Sequence, residues 1–393
     1  LTLRGNNQTL KCIRLEINDM GEEKPFAIIK ALSAHPQVEE LSLHGMSIGT
    51  NDCRSLTTVL SPNTELHTLD LSNNDIGDEG VDTLMSALTN KKLRNLNLSY
   101  NPHIGSRGRQ TFSILLENNN FTLEALKLSG MNMGDEGALR FANALARNCK
   151  LTTLYLENNG ITARGCQSLA ALLENTNSNL EWLDLGSNNM GDEGTLIFAN
   201  AMARNCKLKY LNLNNNIITT RGCQSLVTLL ENTHSNLKWL SVSDNNIGDE
   251  GARIFANALA RNSKLEILDL ENTGVTGGLH SAFSKVLCDT SSINSTFLSN
   301  HTLERLGWGS SADIRSLLAP NKGEDKKHVA IKKILLYHDH FDMQPFFEWD
   351  LKVLPIAINW FERAGSIDFN DAVGIYRRKL GKRKLEVIYQ FIH

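Results

Sequence analysis

The sequence predicts an α/β solenoid, a horseshoe in which parallel strands line the concave face and helices cover the convex face. The pattern L-x-x-L-x-L-x-x-N recurs in ten copies between position 10 and about position 290, and successive copies start 27 to 30 residues apart. A strand-type segment and a helix-type segment alternate within the copies. A unit of this length that recurs so often is typical of stacked repeats.

Each copy opens with a predicted strand. Complete patterns start at Leu66, Leu93, Leu151, Leu180, Leu208 and Leu237, and variants with one or two substitutions start at Leu10, Val38, Leu123 and Leu265. Alternating leucines such as Leu154 and Leu156 suit a short parallel strand whose inward side chains stack on the next copy. The asparagine that follows, Asn159 in this copy, lies where the chain leaves the sheet. Its amide can therefore bond to backbone groups that have lost their ladder partners.

A helix is predicted behind each strand. The segment "FANALARN" places Phe141, Leu145 and two small alanines on one side at helical spacing. The tetrad "GDEG" precedes such helices at Gly77, Gly134, Gly191 and Gly248. Asp135 falls where a helix begins, so we expect its carboxylate to cap a free backbone N–H there, and Glu136 to be favoured by the helix dipole.

The same tetrad faintly resembles a calcium loop, but the bidentate Glu that such a loop requires is absent. The alternate copies replace the acidic pair with Ala-Arg or Thr-Arg while keeping the second glycine, as Gly165 and Gly222. A cation site would not survive that replacement. We therefore predict a structural joint and no metal.

The unit that duplicates best is a pair of copies, because "GDEG…FANALARNCKL" alternates with "RGCQSL…LLENT" every 57 residues. This alternation resembles the ribonuclease-inhibitor type of leucine-rich repeat, which also occurs in NOD-like receptors and in the Ran GTPase-activating protein. The resemblance covers roughly three quarters of the chain. It implies a leucine-rich-repeat horseshoe and, less specifically, a protein that binds other proteins.

Composition excludes several classes of function. The formal net charge is −3 with a pI of about 6.4, so a dedicated nucleic-acid binder is disfavoured. No apolar run approaches the roughly 18 residues that span a membrane. Seven cysteines without a CxxC pair indicate free thiols in a reducing compartment. We expect a cytoplasmic protein, with the nucleus as the alternative. An upstream portion is expected to be missing, because Leu1 already lies inside a patterned segment.

No motif of catalysis or nucleotide binding is present, so we predict neither enzyme activity nor a cofactor. The cluster "HDHFD", from His338 to Asp342, is the densest set of metal-ligand residues. Its members cannot all face one way on a helix, and a polar helix end is the simpler interpretation.

The predicted domains are a solenoid of ten to eleven repeats over residues 1–307 and a helical capping region over 308–393. The pattern recurs imperfectly near His301 and then stops. The tail carries a net charge of +3, which leaves −6 for the solenoid. The aromatic segment from Pro345 to Phe361 is amphipathic enough to cover the open end of the array, and the tail resembles the helical region that follows the repeats in some algal leucine-rich-repeat proteins. The basic run from Arg377 to Lys384 is either an import or anionic-lipid patch or the solvated face of a terminal helix.

A candidate binding site follows from the strand alternation. Side chains at the second, fourth and sixth positions after the first leucine point into the concave groove. Two of the five tryptophans, Trp182 and Trp239, lie there with Tyr210 between them and Tyr155 diagonally adjacent. Nearby acids favour a partner with a basic surface, although Lys127 lies at one margin; these acids are Glu157, Asp184, Asp269 and Glu271. The competing interpretation is that the rings only pack on each other.

We therefore predict a monomeric, non-enzymatic interaction scaffold that holds a protein partner in its concave face. One alternative is a GTPase-activating protein for a small GTPase, although the long acidic tail of that family is absent. A second alternative is the ligand-sensing fragment of a larger receptor.

Overall fold

The repeated pattern forms a single parallel sheet. The computed structural model describes residues 11–16, 29–30, 32–33, 37–89, 91–117, 123–146, 150–175, 177–204, 207–307, 312–323 and 325–338. Within these ranges eleven strands pair in sequence order. They are β1 (Cys12–Glu16), β2 (Glu40–His44), β3 (Thr68–Asp70), β4 (Asn95–Asn97), β5 (Ala125–Lys127), β6 (Thr153–Tyr155), β7 (Trp182–Asp184), β8 (Tyr210–Asn212), β9 (Trp239–Ser241), β10 (Ile267–Asp269) and β11 (Arg305–Gly307). The imperfect pattern near His301 thus supplies an eleventh strand.

Helices cover one face of this sheet. They are α1 (Thr50–Leu60), α2 (Asp78–Leu88), α3 (Ser106–Leu116), α4 (Gly134–Leu145), α5 (Ala163–Glu174), α6 (Gly191–Arg204), α7 (Thr220–Glu231), α8 (Gly248–Leu259), α9 (His280–Leu287), α10 (Ile293–Phe297), α11 (Ala312–Leu318) and α12 (Lys326–Tyr337). The leucine at the centre of each strand from β3 to β10 is buried, as are Leu41 and Leu43 of β2. Five phenylalanines from the helices join these leucines in the core: Phe112, Phe141, Phe198, Phe255 and Phe283. The predicted leucine-rich-repeat horseshoe is confirmed.

Buried asparagines join each repeat to its neighbours. The Nδ2 group of Asn188 donates to the carbonyl oxygens of Leu156 and Leu185 at 3.0 and 2.9 Å. Its Oδ1 accepts from the backbone N–H groups of Asn159 and Ile161 at 3.0 and 2.9 Å. The corresponding asparagines repeat the arrangement; they are Asn74, Asn101, Asn159, Asn216 and Asn245. The structural role predicted for Asn159 is confirmed.

The "GDEG" aspartate caps a helix, but the prediction that it caps its own helix is wrong. No side chain caps the start of α4, the helix that contains Asp135. Instead the Asp135 carboxylate accepts from Thr162 N–H at 2.8 Å, from Thr162 Oγ1 at 2.7 Å and from Gly165 N–H at 2.9 Å, all at the start of α5. Asp192 does the same for α7. The carboxylate bonds to the start of the following helix and not to that of its own, so the cap ties two repeats together.

This cap explains the glycine that both kinds of repeat share. A Cβ atom at Gly165 would lie 2.6 Å from Asp135 Oδ1, so a side chain there would displace the carboxylate. At the next junction, a Cβ atom at Gly194 would lie 3.0 Å from the sulfur of Cys166. From α4 to α8 the repeats are therefore joined alternately by an aspartate and by a cysteine. This alternation of junctions accounts for the 57-residue period with which pairs of repeats recur in the sequence.

The junction cysteines are buried thiols. Cys53, Cys166, Cys223 and Cys288 are free and buried, whereas Cys12 is free and exposed. Burial raises the pKa of Cys53, Cys166 and Cys223 to about 12. These three thiols fill space between repeats and stay protonated at neutral pH.

The first part of the C-terminal region packs on the last repeats. Ile314 and Leu317 of α11 join the core of the array. Lys333 of α12 is fully buried, and its Nζ donates to the carbonyl oxygens of Leu287 and Asn300 at 2.7 and 3.2 Å. Burial lowers the pKa of this amine to about 7. The boundary at residue 307 and the capping role of the whole tail stay predictions, because the predicted segments 345–361 and 377–384 lie outside the described residues.

Asp135→Ala tests the cap between repeats. We expect it to lower the free energy of unfolding by about 0.5 to 2 kcal/mol, the usual range for a lost helix cap. Burial alone would raise the pKa of the Asp135 carboxyl, but the hydrogen bonds from Thr162 and Gly165 outweigh it and hold this pKa below its usual value. The stabilisation is therefore complete above the unfolded pKa of about 3.9 and is lost as the pH falls through the folded value.

Urea denaturation of the wild type and the variant across pH 2 to 7 measures this difference. The matched control is Glu136→Ala, because the Glu136 carboxylate is exposed and pairs with Arg140 of its own helix at 2.7 Å. We expect that variant to leave stability nearly unchanged. Equal losses in the two variants, or a calcium-dependent rise in melting temperature that Asp135→Ala abolishes, would contradict the cap.

Candidate functional site

Four aromatic side chains lie together on the face of the sheet that points away from the helices, here called the groove face. Strand register pairs Trp182 with Tyr210 and Tyr210 with Trp239. The Trp182 ring lies 4.9 Å from Tyr210, 5.6 Å from Trp239 and 6.0 Å from Tyr155, measured between centroids, with interplanar angles of 20° to 28°. All four side chains are half-buried. The contiguity expected from the sequence is confirmed, and we call this set the aromatic row.

The aromatic row carries a cation at its β5 end. The Nζ atom of Lys127 lies 4.9 Å from the centroid of the Tyr155 ring. Register pairs Lys127 with Tyr155 and Tyr155 with Asp184, which puts Tyr155 one step diagonally from Trp182. A protonated amine over a tyrosine face is attracted by the electrons of the ring. Lys127, expected at the margin of the site, therefore touches it directly.

Asp184 does not form the exposed acidic rim that the sequence suggested. Its side chain is buried at 7% exposure, and its Oδ1 accepts from Gly186 N–H at 2.9 Å and from Asn212 Nδ2 at 3.0 Å. Burial raises the pKa of this carboxyl, and the two hydrogen bonds offset only part of that effect. The carboxylate turns inward because the chain leaves the sheet immediately after it and exposes a backbone N–H that needs an acceptor.

The other three acids differ from one another in exposure. Glu157 is half-buried, and its Oε2 accepts from the Tyr100 hydroxyl at 3.4 Å. Burial and the neighbouring Asp184 raise its pKa. Asp269 is half-buried, and its Oδ1 accepts from the backbone N–H of Glu271 at 3.2 Å. Glu271 is exposed. The exposed Arg305 of β11 lies on the same face, in register with Ile267, so the β10 end of the aromatic row carries charge of both signs.

Two residues near the groove face were missed by the sequence analysis. Tyr100 and Ile217 follow β4 and β8, have φ of 57° and 59°, and are 42% and 64% exposed. The other non-glycine residues with positive φ in the described ranges are small and polar, namely Asn, Ser or Asp. Such residues tolerate the left-handed region, whereas a bulky or β-branched residue there is strained. The sequence signal for both residues was a large side chain at a turn position where most other repeats place Asn, Asp, Ser or Gly.

Two polar atoms in this region have no partner among the described residues. They are the indole N–H of Trp182 and the amide oxygen of Asn214, both shielded from solvent. Buried polar atoms without a hydrogen bond are costly.

A His–Ser–Asp constellation on the same face is not arranged for nucleophilic catalysis. The Ser72 hydroxyl donates to Asp70 Oδ1 at 2.6 Å, and His44 Nδ1 lies 2.9 Å from the Ser72 oxygen. A hydroxyl has one proton, so a proton given to Asp70 leaves His44 to donate rather than to act as the base. The hydrogen bonds of Ser72 to Asp70 are those of the turn that follows β3.

The described residues contain neither a cluster of metal ligands nor a membrane-spanning helix. Nowhere in the described ranges do three or more His, Cys, Asp or Glu side chains come together as metal ligands. Of the predicted "HDHFD" cluster only His338 is described, and its Nε2 lies 2.8 Å from Thr296 Oγ1. The helices of the described part also include none that is both long and apolar enough to cross a bilayer.

Comparisons with known proteins agree on the repeats. The family model for the MHP1/HER1/GIP3 LRR domain matches residues 8–301. Ribonuclease inhibitor of Sus scrofa is 29% identical over 303 residues, which cover 76% of this chain and 66% of that protein. NACHT, LRR and PYD domains-containing protein 3 of Bos taurus is 33% identical over 260 residues, covering 65% of this chain and 25% of that protein. The chain thus spans slightly less than two thirds of the inhibitor and a quarter of the second relative.

Among solved structures, a chain of the yeast Rad7–Elc1 complex aligns with 67% of this chain and 77% of its own length, at 15% identity and a TM-score of 0.38. That likeness is low. The predicted resemblance to the ribonuclease-inhibitor type of repeat is confirmed by the relatives. The resemblance of the tail to algal proteins stays a prediction, because the family match ends at residue 301.

Ile217→Asn tests whether the exposed isoleucine is strained. The fifth repeat has Asn132 at the same position with φ of 49°. We expect the variant to raise the free energy of unfolding by about 0.5 to 1 kcal/mol, because asparagine tolerates the left-handed region better than a β-branched residue. Equilibrium denaturation in urea measures the change. Asn215→Ala, at a neighbouring left-handed position with φ of 49°, is the control and should be destabilising. A less stable Ile217→Asn protein would show that the isoleucine is favourable where it lies.

Proposed function

Because the chain belongs to the MHP1/HER1/GIP3 LRR domain family, we propose that it is a non-enzymatic scaffold that binds a protein partner through its groove face. The relative named ribonuclease inhibitor acts, by its name, on another protein. That similarity by itself does not place a partner in the groove of the present chain. The main support for a groove-bound partner is the aromatic row.

The observation that carries the proposal is that the fold does not require aromatics at these positions. The equivalent second position of the earlier strands holds small or polar residues, namely Glu40, Thr68, Asn95, Ala125 and Thr153. Three consecutive strands, β7 to β9, instead place Trp, Tyr and Trp there. Half-exposed aromatic clusters are unfavourable in water, and Trp and Tyr dominate the energetics of many interfaces. The strain at Tyr100 and Ile217 fits the same proposal, because backbone strain is often retained for function.

The competing interpretation, in which the rings only pack on each other, accounts for part of the geometry. Stacked rings at 4.9 to 6.0 Å already gain favourable contacts. Stacking alone leaves the Trp182 N–H without an acceptor in the described part of the molecule. A partner that covers the aromatic row would also remove its apolar surface from water.

One alternative has an observation in its favour. The match to the Bos taurus relative covers only a quarter of that protein, so this chain resembles one part of a larger multidomain molecule. The ligand-sensing role in a larger receptor is therefore the second candidate function. GTPase activation, monomeric state and cytoplasmic location stay predictions.

The double variant Trp182→Ala/Trp239→Ala tests the proposal. Affinity capture with the wild type, followed by quantitative mass spectrometry, first supplies the partner. We then expect the double variant to weaken binding of the purified partner by about 2 kcal/mol or more, roughly thirtyfold in Kd, with the fold retained. Calorimetry measures the affinity, and the melting temperature reports the fold.

The matched control is Leu139→Ala/Leu196→Ala, which removes two side chains that are each 45% exposed on helices α4 and α6. That variant should bind as the wild type does. Unchanged binding by the tryptophan variant, with its melting temperature preserved, would move the site to the helix face or to the C-terminal region.

A further inference from the structure

A lysine is buried where α12 packs on the last repeats. Val329 and Ile334 of α12 are buried, and Lys333 lies beside them with its side chain fully enclosed. Its Nζ donates to two backbone carbonyl oxygens, that of Leu287 at the end of α9 at 2.7 Å and that of Asn300 before β11 at 3.2 Å. No carboxylate among the described residues balances its charge. A buried cation without a counter-ion is unfavourable, because burial removes the water that would stabilise the charge.

The two acceptors suit a neutral amine better than an ammonium group. A neutral lysine amine has two N–H groups, one for each carbonyl oxygen, whereas the ammonium group has three. In the described part of the chain only two acceptors face the Lys333 Nζ. Protonation of Lys333 therefore adds a charge without a counter-ion and a donor without an acceptor to the contact between α12 and the last repeats.

His301 is a second group of the same kind at this contact. It is 8% exposed, and its Nε2 lies 3.0 Å from the carbonyl oxygen of Phe297. Because a carbonyl oxygen only accepts, the ring proton is on Nε2, and Nδ1 is a bare acceptor. Nδ1 is shielded from solvent and has no partner among the described residues. Burial and the positive charges of Lys333 and Lys326 lower the pKa of His301 to about 4.

The other side chains at this contact do not supply the missing negative charge. Burial raises the pKa of the Cys288 thiol at the end of α9, so this thiol stays uncharged at neutral pH. The charge of Asp289 helps to raise that pKa and does not offset the charge of Lys333. His338, at the end of α12, has its Nε2 2.8 Å from Thr296 Oγ1. Neither α10 nor the short turn Ala319–Asn321, which both contact α12, has an ionisable side chain.

We propose that α12 is a pH-sensitive clamp, which stays docked on the last repeats while Lys333 and His301 are uncharged and opens more often as they take up protons. In the open state water solvates the new charge, so each proton favours opening. Acidification thereby exposes the apolar side of α12, including Val329 and Ile334. The clamp acts on the C-terminal region and is independent of what the groove face binds.

The direction of the pH effect follows from the difference between the docked and open states. With α12 open, Lys333 binds its proton below its ordinary pKa of about 10.4, and with α12 docked only below about 7. Docking is therefore most stable above the first value and weakens by about tenfold per pH unit as the pH falls between the two. For His301 the same weakening occurs between its ordinary pKa of about 6.5 and the docked value of about 4.

Hydrogen exchange of the full chain, followed by mass spectrometry from pH 9 to 5, tests the clamp. Dividing the intrinsic exchange rate at each pH by the measured rate gives a protection factor, which reports the opening equilibrium even when the open state is rare. We expect the protection of α12 to fall about fiftyfold from pH 9 to 7 and about a further tenfold from pH 6.5 to 5. The protection of α6, in the middle of the array, should stay constant and serves as the internal control.

Two substitutions separate the two groups. Lys333→Met keeps the length of the side chain and removes the charge, so we expect it to eliminate the fall between pH 9 and 7. His301→Gln keeps an N–H donor and cannot be protonated, so it should eliminate the fall below pH 6.5. Lys327→Met, at an exposed position of the same helix, is the matched control and should keep the wild-type profile.

Three results would overturn the clamp. They are constant protection of α12 across this pH range in the wild type, an equal fall in α6, and a fall that survives in Lys333→Met/His301→Gln. The wild-type titration and its comparison with α6 require no substitution, so they decide the outcome even where Lys333→Met alters the packing of α12.

Discussion

The structure depends on hydrogen bonds that cross from one repeat to the next where the chain leaves the sheet. Strands of three residues pair only briefly, so several backbone groups in every repeat lose their ladder partners at that point. The asparagine side chains satisfy those groups: Asn188 alone bonds to backbone atoms of its own repeat and of the preceding one. Without such bonds a short strand would be free to shift its register. With them, successive strands hold a fixed spacing of about 4.8 Å, and the rings of the aromatic row can stack.

The helices add a second set of links, and these have two forms. An aspartate from one repeat caps the helix of the next, as Asp135 does for Thr162 and Gly165. At the following junction a buried thiol takes its place, as Cys166 packs against Gly194. From α4 to α8 an aspartate junction alternates with a cysteine junction, so the structural unit there is a pair of repeats. The acidic tetrads are therefore joints between repeats, and their regular recurrence needs no ligand to explain it.

Side-chain alternation along a strand made much of the candidate site predictable. Because alternate residues share a face, the sequence placed Trp182, Tyr210 and Trp239 in one row, and the register agrees. What the sequence could not supply were contacts made between repeats. The helix that Asp135 caps starts 28 residues later, and the buried Asp184 accepts a hydrogen bond from Asn212 of the next strand. Tyr100 and Ile217 were missed because they lie in turns after the strands, where the face of a side chain is set by local φ rather than by alternation.

Photo-crosslinking to the captured partner tests most directly whether the groove face is the binding surface. The photoreactive residue p-benzoylphenylalanine replaces Thr153, which pairs in register with Trp182 and leaves the aromatic row intact. In a second protein it replaces Leu196, which is 45% exposed on α6. We predict a crosslink to the partner from position 153 and none from position 196. A crosslink from position 196 alone, with both proteins binding the partner as tightly as the wild type, would contradict a groove-bound partner.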